Sequence, residues 1–332
     1  MTADQATIEN LSNALRRRFG QGARVENVRA PSVGASSSTL IFELVDGASR
    51  RMLVSRTETY TDRNSPFLSA SDQFALVFEV FRSGFPVPEP VFQYDPDDEM
   101  GDGYVSVFVE GVTLPKTIVH SPAFAGARSL FAVQCAELLA TLHRLSPSNF
   151  PYLGERSDSI DPIAAQRDRY MGYGVPRPAI DLGLRWLEKN HPPVSRKSLL
   201  HGDFRVGNLM VSERGIIAVL DWECSHLGSP SEDIGWLCNR AWRFGNPGMP
   251  VGGIDKAGPL LAAYERFTGT HVDDDEIRYW TIFGLVRWAI LNVMQAKGHL
   301  EGNRRGLVYA ACGRNTSLIE YDILMSLKGV YL

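Results

Sequence analysis

This sequence has few cysteines and only a small net charge, and each feature argues against a class of protein. The 332 residues include four scattered cysteines with no C-x-x-C pair, at Cys135, Cys224, Cys238 and Cys312. Neither a disulfide framework nor a zinc site is indicated, and the pattern suits a reducing cytoplasm. The formal net charge is −4, whereas a general nucleic-acid binder needs a basic face. We therefore predict a cytoplasmic location and no nucleic-acid partner.

Long apolar runs are also missing. Residues 1–20 are polar and carry acids early, so no secretory signal is predicted. The longest apolar region, 279–294, is interrupted by Arg287 and is too short to span a membrane. We expect this region to form a buried helix, and we expect no membrane partner. The sequence leaves the oligomeric state open.

The first part of the chain has the pattern of a small β-rich domain. Runs rich in β-branched residues predict strands at 25–30, 37–45, 50–56 and 104–111. An amphipathic helix precedes these strands, and its apolar side consists of Ile8, Leu11, Leu15 and Phe19.

A second helix is predicted at 71–85, among these strands. Its spacing places four apolar residues on one side, Phe74, Val77, Phe78 and Phe81. Ser71 or Asp72 could cap its start, and Gly84 ends it. The FPVPEP segment that follows forces extended backbone.

The rest of the chain is predicted to be mostly helical. Amphipathic segments predict helices at 131–145 and 180–190, and the acidic run 273–276 suits the start of another. We therefore predict an α+β fold of two lobes, with a small antiparallel β lobe at 1–111 and a larger helical lobe at 112–332. A length of 332 residues is consistent with about two domains.

The stretch HGDFRVGNLMV, 201–211, begins a constellation of oxygen-bearing side chains. The segments NLMV, 208–211, and GIIAVLD, 215–221, predict two strands joined by a tight turn. Pairing these strands antiparallel brings Asn208 close to Asp221. Carboxylate and amide oxygens at neighbouring strand ends suit a hard cation such as Mg²⁺.

Asp203 lies five residues before Asn208, on the loop that enters the hairpin. A loop of the form H-x-D-x-x-x-x-N, followed by a strand-end Asp on the metal, is the layout of protein kinases. Any one of these residues alone would be read as a turn former. The whole set at this spacing, from His201 to Asp221, favours a phosphate-transfer site.

The motifs HGDFRVGNLMV, AVLDWE and LGSPSEDIGWL resemble the aminoglycoside phosphotransferase and choline kinase superfamily, whose members share the protein-kinase-like fold. The resemblance extends to VGASSSTLIFEL, FPVPEP, YVSVFVEG and TLHRL, so it covers most of residues 25–240. The most similar branch is the one related to the kinase domains fused to acyl-CoA dehydrogenases, which act on hydroxyacyl-CoA.

The resemblance implies roles for the residues of the central stretch. Asp203 resembles the catalytic base, and Asn208 and Asp221 resemble the Mg²⁺ ligands. Asp233 matches an inward-pointing helix acid. His201 is expected to hold the loop in shape without proton chemistry.

The resemblance also implies a nucleotide site for ATP. The loop at 33–39 is similar to the phosphate-covering loop, with Ser36 and Ser37 as candidate phosphate contacts; its small residues let backbone N–H groups approach phosphate. The segment VSVFVEG resembles the hinge, where adenine would bond to backbone at Val107 and Val109. Ser106 falls at the back of the adenine pocket.

One cation of the family is missing from this chain. Kinases of this fold place a Lys or Arg on the third strand, paired with a Glu on the next helix. Here Val54 occupies the cation position and Gln73 the Glu position. Arg56 lies two residues beyond Val54 and points to the same face of the strand. Either Arg56 reaches the phosphates, with Gln73 nearby, or it is solvated at the strand end.

The acceptor is expected to bind in the helical lobe. The segment WLCNRAWRF predicts one helical face bearing Trp236, Asn239, Arg240 and Arg243. Aromatic rings and arginines favour an acceptor that is not a polycation, although core tryptophans and solvated arginines are an equally good reading. Arg205 could reach phosphate or pair with a neighbouring acid. Glu223 fits the D-W-E form of the superfamily and is a further candidate for the acceptor site.

We therefore predict an ATP- and Mg²⁺-dependent phosphotransferase that acts on a hydroxyl of a small molecule, with a hydroxyacyl-CoA as one candidate acceptor. The alternative is a nucleotide-binding protein with little transfer activity, a pseudokinase-like sensor or scaffold. The presence of Asp203, Asn208 and Asp221 argues against this alternative, whereas Val54 and Gln73 argue for it.

Overall fold

The computed structural model describes residues 4–31, 37–58, 65–194, 196–303 and 305–331. The chain divides into two compact units. The first comprises Met1–Glu110 and Ala218–Glu223, and the second comprises Gly111–Ile217 and Cys224–Leu332. The sequence prediction had placed 218–223 with the second domain. The functional roles predicted for the two domains remain predictions.

The first unit is built on an antiparallel five-stranded sheet with the strand order β1-β2-β3-β5-β4. The strands are β1 (Arg24–Arg29), β2 (Ser37–Asp46), β3 (Ser49–Glu58), β4 (Pro90–Gln93) and β5 (Gly103–Val107). Helix α1 (Gln5–Phe19) packs Leu11 and Leu15 into a core with Phe42 and Leu53 from the sheet. Helix α1 and the strands predicted at 25–30, 37–45 and 50–56 are therefore present, whereas the strand predicted at 104–111 ends at Val107.

Helix α2 (Ala70–Arg82) begins one turn earlier than its capping prediction implied. Ser69 is the N-cap, and its hydroxyl accepts from the Asp72 N–H, so neither Ser71 nor Asp72 caps the helix. The buried side also differs from the prediction. Phe78 and Phe81 are exposed, and the buried apolar positions are Ala70, Leu76, Val77 and Val80.

The second unit is mostly helical. Its helices are α3 (Pro115–His120), α4 (Ala125–His143), α5 (Ser157–Ile160), α6 (Pro162–Tyr173), α7 (Pro178–Lys189), α8 (Pro230–Leu237), α9 (Ala257–Thr268), α10 (Asp274–Glu301) and α11 (Leu307–Leu327). Short strands β6 (Ser198–Leu200) and β9 (His226–Gly228) pair antiparallel, and β7 (Leu209–Ser212) pairs with β8 (Gly215–Val219). The hairpin predicted after the central loop is therefore present.

The apolar region 279–294 lies within α10, as predicted. Asp273 caps this helix by accepting from the Glu276 N–H, and Arg287 is buried. The segment 236–244 differs from the prediction, because α8 ends at Leu237 and a 3-10 turn, Arg240–Trp242, follows. Its tryptophans and arginines therefore do not share one helical face.

One helix among the described residues, Pro122–His143, is long and apolar enough to cross a membrane by length and composition. The core helix of a soluble protein passes the same test, and about 44% of the apolar window is buried inside the protein. This is weak evidence for a span, and the expected absence of a membrane partner remains a prediction.

Candidate active site

The loop 201–208 is tied down by a buried carboxylate. Asp233, on α8, is fully buried and accepts the N–H groups of His201 and Gly202, each at 2.9 Å. His143 Nε2 lies 3.2 Å from the same carboxylate. Burial raises the pKa of Asp233, but the hydrogen bond from His143 and the loop N–H groups outweigh it, and the net pKa is lowered. The charged form therefore anchors the loop.

Gly202 is required by this loop geometry. Its φ of +74° lies in the left-handed region, and a Cβ at this position would come within 2.2 Å of the Cys224 carbonyl oxygen. Any other residue would both strain the backbone and displace the neighbouring segment. Arg287 reinforces the turn by donating to the Gly202 carbonyl at 2.8 Å. His201 also holds the residue two positions later, because its Nδ1 accepts from the Asp203 N–H at 3.1 Å.

The Asp203 carboxylate is oriented by three side-chain donors. Arg205 Nε donates to Oδ1 at 3.0 Å, and Trp236 Nε1 donates to the same oxygen at 2.8 Å. Asn208 Nδ2 donates to Oδ2 at 2.6 Å. Of the two readings open for Arg205, the structure therefore shows pairing with the neighbouring acid. Trp236 was predicted at the acceptor, and here it contacts the proposed base directly.

Asn208 closes a short 3-10 turn, Val206–Asn208, immediately before β7. Its amide nitrogen also donates to the Asp203 backbone carbonyl at 2.9 Å. Because the nitrogen is committed to Asp203, the amide oxygen is the atom that Asn208 could offer to a cation. An amide oxygen is a hard ligand of the kind that Mg²⁺ accepts.

In the first unit, Asp221 forms an ion pair with Arg56. The Arg56 guanidinium donates to Asp221 Oδ1 at 2.8 Å, and the two side chains are about three-quarters buried, at 22% and 27% exposed. Asp221 has a φ of +68°, a left-handed conformation that Asp tolerates better than most residues. Burial lowers the pKa of Arg56, but the Asp221 carboxylate outweighs it and the net pKa is raised. The reading of Arg56 as a solvated strand-end cation is therefore wrong.

The strand pairing explains why Arg56 faces Asp221. Val54 and Arg56 alternate on β3 with the buried residues Leu53 and Ser55, so they share the opposite face. Tyr104 on β5 lies opposite Arg56 in the antiparallel register. Arg56 therefore places a cation two residues beyond Val54, which occupies the position where related kinases have their cation.

The predicted uncharged partner of Arg56 has another role. Gln73 is buried, and its Nε2 donates to the Leu68 carbonyl at 2.9 Å. The Leu68 N–H in turn donates to the Glu223 carbonyl at 2.7 Å. Gln73 thus braces the segment that leads into α2 against the D-W-E stretch.

The predicted adenine hinge follows β5. The Val107 N–H donates to the Glu89 carbonyl at 2.8 Å, so Val107 could offer adenine only its carbonyl oxygen. Ser106 lies opposite Val54 and is buried. Of the phosphate-covering loop, Ser36 lies outside the described residues, and Ser37 is described only as the first residue of β2.

Three tryptophans form an aromatic cluster beside Asp203. Ring centroids are 5.3 Å apart for Trp236 and Trp242, 5.1 Å for Trp242 and Trp288, and 6.5 Å for Trp236 and Trp288. The Arg205 guanidinium lies 5.0 Å from the Trp242 ring centroid. Trp288, on α10, was missed by sequence reasoning, because an indole inside an apolar helix looks like ordinary core.

The two other predicted acceptor arginines have structural partners. Arg243 is buried and donates to the carbonyls of Cys238 and Pro247, so it shapes the chain after α8. Arg240 pairs with Asp322 at 3.2 Å, and its guanidinium lies 3.6 Å from the Tyr331 ring centroid. Neither is a freely solvated cation, and both lie in the turn region beyond α8.

The comparisons with known proteins agree with this geometry. The profile of the phosphotransferase enzyme family, APH, matches residues 27–269. The chain belongs to this phosphotransferase family. It is therefore a small-molecule kinase, and the predicted α+β, protein-kinase-like fold is confirmed.

The curated relatives include acyl-CoA dehydrogenase family members. Acyl-CoA dehydrogenase family member 11 of Homo sapiens is 32% identical over 199 residues, which cover 53% of this chain and 24% of that protein. Family member 10 of Mus musculus is 25% identical over 216 residues, covering 62% and 19%. The chain therefore spans about a quarter or less of these relatives.

Solved structures show the fold alone. A structure from Ralstonia eutropha is 21% identical, with a TM-score of 0.73 and coverage of 97% of this chain and 98% of the other. A macrolide 2'-phosphotransferase from Brachybacterium faecium is 16% identical, with a TM-score of 0.61 and coverage of 93% and 97%.

Proposed function

We propose that this phosphotransferase uses ATP and Mg²⁺ to phosphorylate a hydroxyl of a small molecule. The observation that carries the proposal is the Asp203 carboxylate, which three donors hold in one orientation. Oδ1 accepts two of these bonds and Oδ2 accepts one. A preorganised carboxylate of this kind suits a group that orients an acceptor hydroxyl and takes its proton.

The other predicted residues are assigned to the nucleotide. Arg56 would contact phosphate oxygens, Ser36 and Ser37 of the covering loop would contact the phosphates, and Val107 and Val109 would contact adenine through their backbone. We propose that residues 1–111 form the nucleotide-binding domain and that residues 112–332 carry the catalytic loop and the acceptor site, in a cytoplasmic enzyme.

The residues proposed for Mg²⁺ fit that ion. Among the described residues, no group of three or more His, Cys, Asp or Glu could hold a metal. Mg²⁺ in kinases is held by one or two protein oxygens together with substrate phosphates, and Asn208 and Asp221 would supply such oxygens. The bound ion would neutralise charge on the transferring phosphoryl group.

The acceptor is proposed to be a molecule other than a polycation, with a hydroxyacyl-CoA as the leading candidate. The Trp236–Trp242–Trp288 cluster lies beside the base, and residues 234–252 contain no acid that could bind ammonium groups. The curated relatives are acyl-CoA dehydrogenase family members, which supports an acyl-CoA acceptor. The Glu223 carbonyl accepts from the Leu68 N–H, and a role for Glu223 at the acceptor is part of this proposal.

A nucleotide-binding protein with little transfer activity is the second candidate. Two observations favour it: Val54 occupies the usual cation position, and Gln73 is committed to the Leu68 carbonyl. The orientation of Asp203 by three donors favours transfer instead, because a protein without transfer activity has no use for a preorganised base.

Asp203→Asn tests the transfer reaction. The substitution keeps the shape of the side chain and removes the proton acceptor, so kcat should fall about 10²- to 10⁴-fold while MgATP affinity is largely kept. Steady-state transfer and MgATP titration measure the two effects. Asp255→Asn, a partly exposed site in the same unit, serves as the control. Near wild-type turnover of Asp203→Asn would remove Asp203 from this role.

An acceptor panel tests the substrate class. Hydroxyacyl-CoA thioesters, simple alcohols and kanamycin-type aminoglycosides are each incubated with the enzyme and MgATP. We expect transfer to a member of the first group and none to the aminoglycosides. Phosphorylation of an aminoglycoside with kcat/KM near 10⁴ M⁻¹s⁻¹ or better, roughly the low end for an established substrate, would contradict the proposed acceptor class.

A further inference from the structure

We propose that Trp236 is a positioning residue for Asp203: its indole N–H fixes the rotation of the carboxylate so that Oδ2 is presented to the acceptor hydroxyl. This inference rests on the proposed function for its catalytic meaning. The contact itself does not depend on that function, because it is a 2.8 Å bond between Trp236 Nε1 and Asp203 Oδ1.

The bonding pattern of Asp203 shows which oxygen is left for chemistry. Oδ1 accepts from both Trp236 and Arg205, and these two bonds use the acceptor capacity of that oxygen. Oδ2 accepts a single bond from Asn208. Oδ2 is therefore the oxygen with capacity to accept a proton from a hydroxyl.

Trp236 is a more rigid donor than Arg205. Trp236 is 3% exposed, whereas the Arg205 side chain is 26% exposed. The indole packs against Trp242, and the Arg287 guanidinium lies over the Trp236 ring, 5.0 Å from the ring centroid. A buried ring with two torsions keeps its N–H direction, while an arginine side chain has several rotamers to lose. The indole therefore sets the carboxylate angle.

One turn of α8 carries both the residue that holds the loop backbone and the residue that orients the Asp203 carboxylate. Asp233 holds the N–H groups of His201 and Gly202, and Trp236, three residues later, reaches Asp203. Residues three apart lie on the same side of a helix. The helix therefore fixes the backbone of the loop and the carboxylate of the proposed base relative to one another.

Trp236→Phe tests the proposal, because it keeps a ring and removes the N–H. We expect kcat to fall about 10- to 100-fold, the usual cost of a hydrogen bond to a charged group, with KM for MgATP within about twofold. The matched control is Trp280→Phe, since Trp280 is buried in the same unit and its Nε1 has no hydrogen-bond partner among the described residues. The control should keep kcat within about threefold.

A double variant separates positioning from general structural damage. In the Asp203→Asn background, Trp236→Phe should change kcat by less than about twofold, because the group it positions has already been lost. An equal loss in both backgrounds would overturn the proposal. So would a Trp236→Phe enzyme with kcat within about twofold of wild type.

Indole N–H resonances give a readout that needs no activity. In ¹⁵N-labelled protein, the resonance absent from Trp236→Phe is assigned to Trp236, and Asp203→Asn should shift it upfield more than any of the other five indole resonances. If Trp236→Phe does not fold, the resonance is assigned by selective labelling instead. A resonance unmoved by Asp203→Asn overturns the contact. If the wild type transfers phosphate to no acceptor but the resonance shifts, the proposed function fails and the contact stands.

Discussion

Two arginines each hold a carboxylate that the proposed reaction needs. Arg205 donates to Asp203, and Arg56 donates to Asp221. Both pairs are partly buried, so solvent screens them less than surface ion pairs. The charge of each arginine is therefore in a position to influence phosphate and metal binding.

Arg56→Ala should weaken MgATP binding about 5- to 20-fold, because it removes a cation from the proposed reach of the phosphates. Arg56→Lys should recover part of this loss. Titration of MgATP into each variant measures it. Arg50→Ala is the control, since Arg50 lies on the same strand and pairs with Glu26 and Glu43 at the surface. If Arg56→Ala stays within about twofold of wild type in both affinity and turnover, Arg56 has no role at the phosphates.

At the scale of single elements, the boundaries of a helix decide which of its side chains face the core. In α2 the register follows from the Ser69 cap, so Leu76, Val77 and Val80 are buried while Phe78 and Phe81 face outward. The sequence prediction placed the cap at Ser71 or Asp72. Only the path of the chain before the helix selects Ser69.

Ser69→Ala should destabilise the first unit by about 1 kcal/mol, the usual cost of removing a serine cap. The reason is that the Asp72 N–H would lose its acceptor. Ser71→Ala is the matched control, because the Ser71 hydroxyl only accepts an exposed bond from Gln93. Urea unfolding of both variants measures the difference. A larger loss for Ser71→Ala would show that the cap lies where the sequence first suggested.

A buried charged cluster joins several elements of the second unit. His226 on β9 lies 3.1 Å from Glu232 on α8, and Arg287 on α10 lies 3.5 Å from the same carboxylate. Asp158 on α5 pairs with Arg169 on α6. Breaking one partner of such a cluster leaves an uncompensated charge in a dry environment, which costs several kcal/mol in measured cases.

At the scale of the whole molecule, this cluster makes stability depend on pH. Burial lowers the pKa of His226, but Glu232 raises it more, and the net pKa lies above its usual value. The folded state therefore binds this proton more tightly than the unfolded state. The resulting stabilisation is complete below about pH 6.5, the ordinary histidine value, and is lost as the pH rises through the raised folded pKa.

His226→Gln should remove this part of the pH dependence. We expect the free energy of unfolding of the wild type to decrease as the pH rises above about 6.5. The decrease should be smaller in His226→Gln. Urea titrations followed by tryptophan fluorescence report on it. His271→Gln is the control, because His271 pairs with Glu265 at the exposed surface, where salt screens the charge. Identical slopes for wild type and His226→Gln would contradict the assignment.

The division into units shows where prediction from sequence reached its limit. The hairpin β7–β8 was predicted because its alternation is local, and the loop 201–208 was predicted because its residue spacing is local. The return of Ala218–Glu223 to the first unit was not predicted. Nothing in the composition of those six residues distinguishes them from the strand that they continue.

The end of α8 shows the same limit. Residues 236–244 have a helical pattern, yet the helix stops at Leu237 and Asn239 caps a 3-10 turn. Gly235 packs so closely on α10 that a Cβ would come within 2.5 Å of the Trp280 Cβ. The helix is therefore shorter than the local propensity of 236–244 predicts.

The sequence by itself determined the strands β1, β2 and β3, the hairpin β7–β8 and the spacing of Asp203 and Asn208 on the loop before it, because each depends on neighbours within a few residues. Tertiary structure decided the partners. Asp221 meets Arg56 across 165 positions of chain and Asp203 meets Trp236 across 33. Such pairs depend on the packing of whole elements against one another, which local residue preferences do not encode.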